Sequence, residues 1–156
     1  MNRIDETKDF IPCRIAVLTV SDTRSLAEDK SGDTLVERLT GAGHVLADRK
    51  MLRDERGEIA AQLRAWVADP GVDVVISTGG TGLTGRDVTV EAHRDVYEKE
   101  IEAFATVFTI VSMQKIGTSA VQSRATGGVA GGTYLFALPG SPGACRDAWD
   151  EILRWQ

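Results

Sequence analysis

The chain has 156 residues, of which 42% are hydrophobic and 26% are charged, and its formal net charge at pH 7 is −5. These values are typical of one globular domain with a single core, and the negative charge argues against a nucleic-acid-binding surface. No apolar run approaches the roughly 20 residues that span a bilayer, and the N-terminus lacks the apolar segment of a signal peptide. We therefore predict a single domain over residues 1–156, located in the cytoplasm, without a nucleic-acid or membrane partner.

The first half of the chain alternates apolar strands with amphipathic helices. It begins with a flexible arm over residues 1–12, in which Phe10 and Ile11 are candidate anchors. The predicted elements are then a buried strand over residues 13–20, a helix from Ser31 to the stop signals Gly41 and Gly43, a weaker strand over 44–52, a helix that ends at residues 69–71, and a strand over 73–77.

The second half follows a long glycine-rich loop. Residues 90–102 are helix-compatible but charged, and a stripe from Ile101 through Phe104 and Phe108 predicts a helix whose stripe is core or subunit interface. Residues 116–124 give no clear assignment. The last predicted elements are strands over 125–130 and 133–138, joined by a hairpin at Gly131-Gly132, and a helix with Ser141 as N-cap and Pro142 at its first position.

This order of elements predicts an α/β fold. Strands that alternate with helices favour parallel pairing with right-handed crossovers, and the late hairpin adds a reversal. We therefore predict a three-layer, mostly parallel sheet with helices on both faces and one antiparallel edge strand.

The cysteines and histidines carry little functional signal. Cys13 and Cys145 lie far apart and form no CxxC pair, so we interpret them as free thiols in apolar surroundings rather than zinc ligands. His44 and His93 are interpreted as surface or helix residues.

The glycine-rich loop over residues 79–85 holds four glycines within seven residues and follows a predicted strand. Glycine lets backbone N–H groups approach an anion closely, and a following helix N-terminus adds partial positive charge. The spacing Gly80-x-Gly82-x-x-Gly85 matches a dinucleotide fingerprint, but it follows a third strand rather than a first. Arg86-Asp87 stands where a P-loop needs Lys-Ser or Lys-Thr. The loop is thus interpreted as a ligand loop of neither kind, in preference to a turn that only needs glycine.

Polar segments follow four of the predicted strands, and parallel strands end at one edge of a sheet. The loops after residues 20, 52, 77 and 138 should therefore converge on one crevice. Two of them carry carboxylates, Asp54 and Asp87, and Mg²⁺ is commonly bound by one or two carboxylates with phosphate oxygens and water. Helix N-capping is the structural alternative for each aspartate, and a solvated turn is a further one for Asp54.

Seven segments in this order resemble the MoaB/MogA family of molybdenum-cofactor biosynthesis proteins, which is similar to domains of plant Cnx and of gephyrin. The segments are residues 10–12 with 18–22, 29–32, 54–55, 78–82, 86–89, 123–124 and 138–142. The start FIPCRIAVLTVS and the stretch IGTSAVQSRA look most like the MoaB branch.

The resemblance implies adenylylation of molybdopterin by ATP, dependent on Mg²⁺, with pyrophosphate as the second product. Its catalytic and metal-binding residues fall on Asp54 and Asp87. The substrate-binding residues that it implies are Ser21, Asp22, Thr78, Gly79, Gly80, Thr81, Gly82, Ser123, Arg124, Pro139, Gly140, Ser141 and Pro142. It also implies a homotrimer or homohexamer and a separate protein that inserts molybdate, because the chain ends soon after Leu153. A non-catalytic molybdopterin carrier of the same pathway is the alternative function.

Overall fold

The computed structural model describes residues 5–156, so the first four residues of the predicted arm lie outside the described part. The strands are β1 (Arg14–Val20), β2 (Val45–Leu52), β3 (Val74–Thr78), β4 (Lys99–Glu100), β5 (Thr126–Ala130) and β6 (Thr133–Leu138). The helices are α1 (Lys30–Gly41), α2 (Arg56–Ala68), α3 (Thr89–Val96), α4 (Glu102–Ile116) and α5 (Pro142–Glu151). Short 3₁₀ segments cover Leu26–Glu28, Gly117–Gln122 and Leu153–Trp155.

The six strands form one sheet in the order β2-β1-β3-β6-β5-β4. The pairs β1–β2, β1–β3 and β3–β6 are parallel, and β5 is antiparallel to both of its neighbours. The predicted mostly parallel sheet with an antiparallel edge is therefore confirmed, and the strand that runs against the others is β5, next to the two-residue edge strand β4. The hairpin between β5 and β6 turns at Gly131 and Gly132, whose φ values of +54° and +82° suit the two-residue turn that favours glycine.

Strand β4 lies within residues 90–102, a stretch that the sequence pattern had indicated as helix-compatible. Helix α3 ends at Val96, and the chain then extends along the outer side of β5. The N–H groups of Glu98 and Ile101 donate to the carbonyls of Val129 and Gly127 at 2.9 and 2.7 Å. These bonds to a distant part of the chain explain why a local pattern did not predict the strand.

Two apolar layers hold helices on both faces of the sheet. Alternate residues of β1 point to opposite sides, so Ile15 and Val17 pack with α1, α4 and α5, and Ala16 and Leu18 pack with α2 and α3. This is the predicted three-layer arrangement. Burial of these side chains is the main favourable term in folding.

Helix α4 presents an apolar stripe on each side. Phe104 and Phe108 are buried, and the Phe104 ring lies 4.9 Å from that of Phe136, so the stripe predicted as core or interface is core. The other side is exposed and also apolar: Val107, Ile110, Met113 and Ile116 are each 42–56% exposed.

Within residues 5–156, no helix combines the length and the apolar character that a membrane span requires. Both cysteines are free thiols; Cys145 is buried and Cys13 is partly buried. Phe10 contacts the His44 ring, with 5.1 Å between the ring centroids, whereas Ile11 is 76% exposed.

His93 lies on α3 and is completely buried under the end of β3. Its Nε2 is 2.7 Å from the Ser77 hydroxyl, and its Nδ1 is 3.2 Å from the Tyr97 hydroxyl. Burial lowers the pKa of His93 to about 3, because the charged imidazolium would lose its hydration. His93 is therefore a neutral core residue that joins α3 to β3.

We expect His93→Gln to reduce the acid sensitivity of the fold. The unfolded chain protonates His93 near pH 6.5 and the folded chain only near pH 3, so stability present above pH 6.5 is lost as the pH falls towards 3. Between pH 7 and 5 the variant should lose roughly 2 kcal/mol less unfolding free energy than the wild type. Urea unfolding at each pH measures this, and equal losses would contradict the burial of a neutral His93. His44→Gln, at a half-buried histidine, serves as the comparison.

Candidate functional site

The loops after β1, β2, β3 and β6 meet at the carboxyl edge of the sheet, as the sequence predicted. Ser21 N–H donates to the Leu52 carbonyl at 2.9 Å, and Gly79 N–H donates to the Leu138 carbonyl at 3.0 Å. The Thr78 hydroxyl donates to the Pro139 carbonyl at 2.9 Å. These bonds join the loop after β1 to the end of β2, and the end of β3 with its loop to the end of β6 with its loop.

This edge carries a cleft with two lobes. The first lobe, of about 350 Å³, is lined by Thr19, Val20, Ser21, Asp22, Thr23, Arg24, Ser31, Asp54, Thr78, Gly79, Gly80, Arg86, Asp87 and Gly140. The second lobe, of about 340 Å³, is lined by Gly80, Thr81, Gly82, Asp87, Ser119, Gln122, Ser123, Pro139 and Gly140. Gly80, Asp87 and Gly140 line both lobes and so form their common boundary.

The floor of the cleft needs glycine at two positions. Gly79 and Gly80 have φ values of +94° and +69°, which disfavour other residues. A Cβ on Gly79 would also collide with the Val20 carbonyl oxygen. Within residues 5–156, no hydrogen bond uses the N–H of Gly80, Thr81 or Gly82. These three N–H groups of the loop are therefore not used within the described part of the chain, and their role in binding a ligand stays a prediction.

Asp54 stands at the end of β2 and caps no helix, because α2 begins after Glu55. Its own N–H donates to Asp22 Oδ1 at 3.1 Å, but its carboxylate accepts no hydrogen bond within residues 5–156. Burial raises the pKa of Asp54, and the negative charges of Asp22 and Asp87 raise it further. The ionised carboxylate is thus held without a compensating partner.

Asp87 closes the glycine-rich loop. Its Oδ2 accepts hydrogen bonds from the Thr84 N–H at 3.0 Å and the Thr84 hydroxyl at 2.7 Å. Helix α3 begins after Val88, so Asp87 is not its N-cap. The capping interpretation fails for both aspartates.

Asp22 contacts an arginine across the first lobe. Arg86 donates from Nε and Nη2 to the two carboxylate oxygens of Asp22, both at 3.0 Å, and also contacts Glu55 at 3.3 Å. The Arg86 guanidinium lowers the pKa of Asp22. The pair bridges the loops after β1, β2 and β3.

Three of the predicted substrate-binding residues line neither lobe. Arg124 donates to the carbonyls of Thr81 and Gly82 at 3.0 and 3.1 Å and pairs with Glu91 at 2.8 Å, so it supports the loop from behind. Ser141 caps α5 by accepting from Ala144 N–H at 3.0 Å, and Pro142 is the first residue of α5. The other predicted residues all line the cleft.

Eight lining residues were not predicted as site residues. They are Thr19, Val20, Thr23, Arg24, Ser31, Arg86, Ser119 and Gln122. Thr19, Val20, Ser31 and Arg86 belong to segments that carry the family resemblance, which could have identified them. Ser119 and Gln122 lie in the 3₁₀ segment that the sequence left unassigned, and no local signal marks them.

Within residues 5–156, no group of three His, Cys, Asp or Glu side chains is placed to hold a metal ion. Asp54 and Asp87 would therefore supply only part of a coordination shell. This number of protein ligands suits Mg²⁺, which commonly keeps water and phosphate oxygens in its shell.

Residues 16–155 match the sequence profile of a family described as a probable molybdopterin binding domain. The chain is 47% identical over 145 residues to molybdenum cofactor biosynthesis protein B of Escherichia coli K12, covering 93% of this chain and 85% of that protein. A crystal structure of a molybdenum cofactor biosynthesis protein B matches with a TM-score of 0.90 at 40% identity, over 93% of this chain and 91% of that chain. The structure of the tungsten cofactor synthesizing protein MoaB from Pyrococcus furiosus matches with a TM-score of 0.80 at 35% identity, over 90% of each chain.

We expect Asp54→Asn to stabilise the ligand-free chain at neutral pH. The folded structure raises the pKa of Asp54, so its ionised form opposes folding, and an amide removes that charge. The gain should be roughly 0.5 kcal/mol, the scale for partly exposed charges, and should shrink as the pH falls through the raised pKa.

Thermal unfolding at several pH values measures this effect. Asp73→Asn is the matched control, because Arg14 lowers the pKa of Asp73 and pairs with it at 2.9 Å. The control should lower stability at neutral pH. An Asp54→Asn chain that is equally destabilised would contradict the interpretation of Asp54 as an uncompensated carboxylate.

Proposed function

We propose an adenylyl-transfer activity for this chain, which belongs to the molybdopterin-binding domain family of molybdenum cofactor biosynthesis proteins. In this proposal a phosphate oxygen of molybdopterin attacks the α-phosphorus of ATP. The bond from that phosphorus to the β-phosphate breaks, and pyrophosphate leaves. The observation that carries the proposal is a cleft with two lobes that meet at Asp87, close to the glycine-rich loop.

The two lobes differ in their chemistry. The first contains the arginines Arg24 and Arg86, which suit the charged phosphates of a nucleotide. The second contains one charged residue, Asp87, and several neutral hydrogen-bonding side chains, which suit a polar heterocycle. We assign ATP to the first lobe and the pterin to the second, so that their phosphates meet at the boundary.

The carboxylates of Asp54 and Asp87 fit a divalent cation. Asp54 has a raised pKa and no hydrogen-bond donor within residues 5–156, so a cation would relieve an existing electrostatic cost. When bound there, Mg²⁺ would neutralise charge on the phosphate oxygens. Asp54 and Asp87 would hold it through their carboxylate oxygens.

The remaining residues orient the two substrates. The free N–H groups of the glycine-rich loop donate to phosphate oxygens, and Arg124 keeps that loop in place through its carbonyls. Holding two phosphates at one boundary converts a bimolecular step into a unimolecular one, which supplies much of the rate in such transfers. The chain needs no nucleophile of its own, because the pterin phosphate provides the attacking oxygen.

A non-catalytic carrier that binds molybdopterin is the second candidate. The second lobe alone would support it, whereas the carboxylates and arginines of the first lobe favour a nucleotide and hence the transferase. Location in the cytoplasm stays a prediction from the sequence, and insertion of molybdate by a separate protein stays a prediction from the resemblance.

We expect purified chain, incubated with molybdopterin, ATP and Mg²⁺, to form adenylylated pterin and pyrophosphate. Asp87→Asn and Asp54→Asn should each lower the rate about 100-fold or more, because each removes a charge that holds the cation. Liquid chromatography of the pterin product and a pyrophosphate assay measure turnover, and circular dichroism checks folding.

Asp95→Asn is the control for these variants, since Asp95 pairs with Arg56 at 2.7 Å and lines neither lobe. It should leave turnover unchanged. Pterin binding by the wild type without any product would reject the transferase in favour of the carrier. A full rate in Asp87→Asn would reject the role of that residue.

We also propose that the chain forms a homotrimer or homohexamer through the exposed apolar face of α4, formed by Val107, Ile110, Met113 and Ile116. Contiguous exposed apolar surface of this kind favours protein contacts. Ile110→Lys should yield a smaller species by size-exclusion chromatography with light scattering. Leu26→Lys, at a residue that is 54% exposed compared with 53% for Ile110, should keep the wild-type mass. Equal masses for both variants would reject this face as the interface.

A further inference from the structure

Arg86 is one of the two arginines that line the first lobe, and carboxylates of the same chain already pair with it. Its Nε and Nη2 contact both oxygens of Asp22 at 3.0 Å, and Nη1 and Nη2 lie 3.3 Å from Glu55 Oε1. Asp22 thus presents two oxygens to Arg86 and Glu55 presents one, with the negative charge that a phosphate group would also present.

This ion pair is well placed to be exchanged. The side chains of Arg86 and Asp22 are 58% and 33% exposed, and pairs with such exposure add little to stability. Arginine binds phosphate with the same two-pronged geometry that it uses for carboxylates. A ligand phosphate in the lobe can therefore displace Asp22 without unfolding any element.

Two other hydrogen-bond donors at the lobe also lack an acceptor within residues 5–156. Ser31 lies in the first turn of the twelve-residue helix α1 and is 1% exposed. Ser31 lines the lobe, and within residues 5–156 its buried hydroxyl has no hydrogen-bond partner. The N–H of Gly80 is similarly unused. These neutral donors suit phosphate oxygens, and a buried hydroxyl without a partner is unfavourable unless a ligand satisfies it.

We infer that Arg86 is a specificity-determining residue. In the ligand-free chain Asp22 and Glu55 pair with it, and a diphosphate or triphosphate group of a ligand replaces these carboxylates as its partner. The inference rests on the proposed function in taking the first lobe as the polyphosphate side. A single phosphate carries less charge and competes less well with two carboxylates. The exchange therefore selects ligands with two or more linked phosphates.

Two substitutions that break the same pair should have opposite effects. Arg86→Gln removes the cation and should weaken binding of inorganic pyrophosphate about tenfold. Asp22→Asn keeps the cation and removes its competitor, so binding should become about threefold tighter. Isothermal titration calorimetry without divalent cations measures the side chains alone, and orthophosphate is titrated in parallel as the monophosphate probe.

The double variant separates exchange from a general change in charge. In the Arg86→Gln background, Asp22→Asn should have little effect on pyrophosphate binding, because the guanidinium group that Asp22 pairs with is absent. An equal gain in both backgrounds would overturn the inference, as would weaker binding in Asp22→Asn. Arg56→Gln and Asp95→Asn break an ion pair of similar geometry outside both lobes and should leave the affinity unchanged.

This binding test is independent of turnover. If the chain adenylylates molybdopterin but the Arg86 and Asp22 substitutions have additive effects on pyrophosphate binding, only the exchange at Arg86 is rejected. If the two effects are coupled but no adenylylated product forms, only the transferase proposal is rejected. A wild type that binds pyrophosphate no more tightly than orthophosphate also overturns the inference.

Discussion

The parallel register of β1, β3 and β6 is the constraint on which the cleft depends. Thr19, Thr78 and Leu138 are register partners in adjacent strands, so the three strands end at one level. The loops that follow are then pressed together, and a Cβ on Gly140 would lie only 3.0 Å from the Cα of Gly79. Side chains larger than hydrogen would separate these loops. The geometry of the site thus follows from strand pairing and from the absence of Cβ atoms.

The electrostatics of the cleft are unfavourable in the ligand-free chain. Asp22, Asp54 and Asp87 all line the first lobe, and one arginine compensates only the first of them directly. A structure optimised for stability alone would neutralise or remove such charges. The proposed function would account for this cost, because a site that binds phosphates with a divalent cation uses carboxylate ligands that are in place before the ligands bind.

Much of the fold follows from local patterns. Continuous apolar runs predicted β1 and β3, two adjacent glycines predicted the hairpin, and Ser141-Pro142 predicted the start of α5. The two-residue strand β4 could not be predicted in the same way, because it exists only through its pairing with β5. Likewise, Asp54 and Asp87 lie in loops that follow predicted strands, whereas the support of the glycine-rich loop by Arg124 depends on a tertiary contact.

The glycine floor of the cleft limits how ligand preference can vary. Gly79 and Gly80 contribute main-chain atoms in a conformation that other residues disfavour, and Gly140 lies against the first of them. A substitution in the floor therefore alters the shape of the whole cleft rather than one contact. Side chains on the walls, such as Ser31 in one lobe and Ser119 and Gln122 in the other, can change singly. Variation in what the cleft binds is thus confined to the walls, while the floor keeps the same main-chain shape.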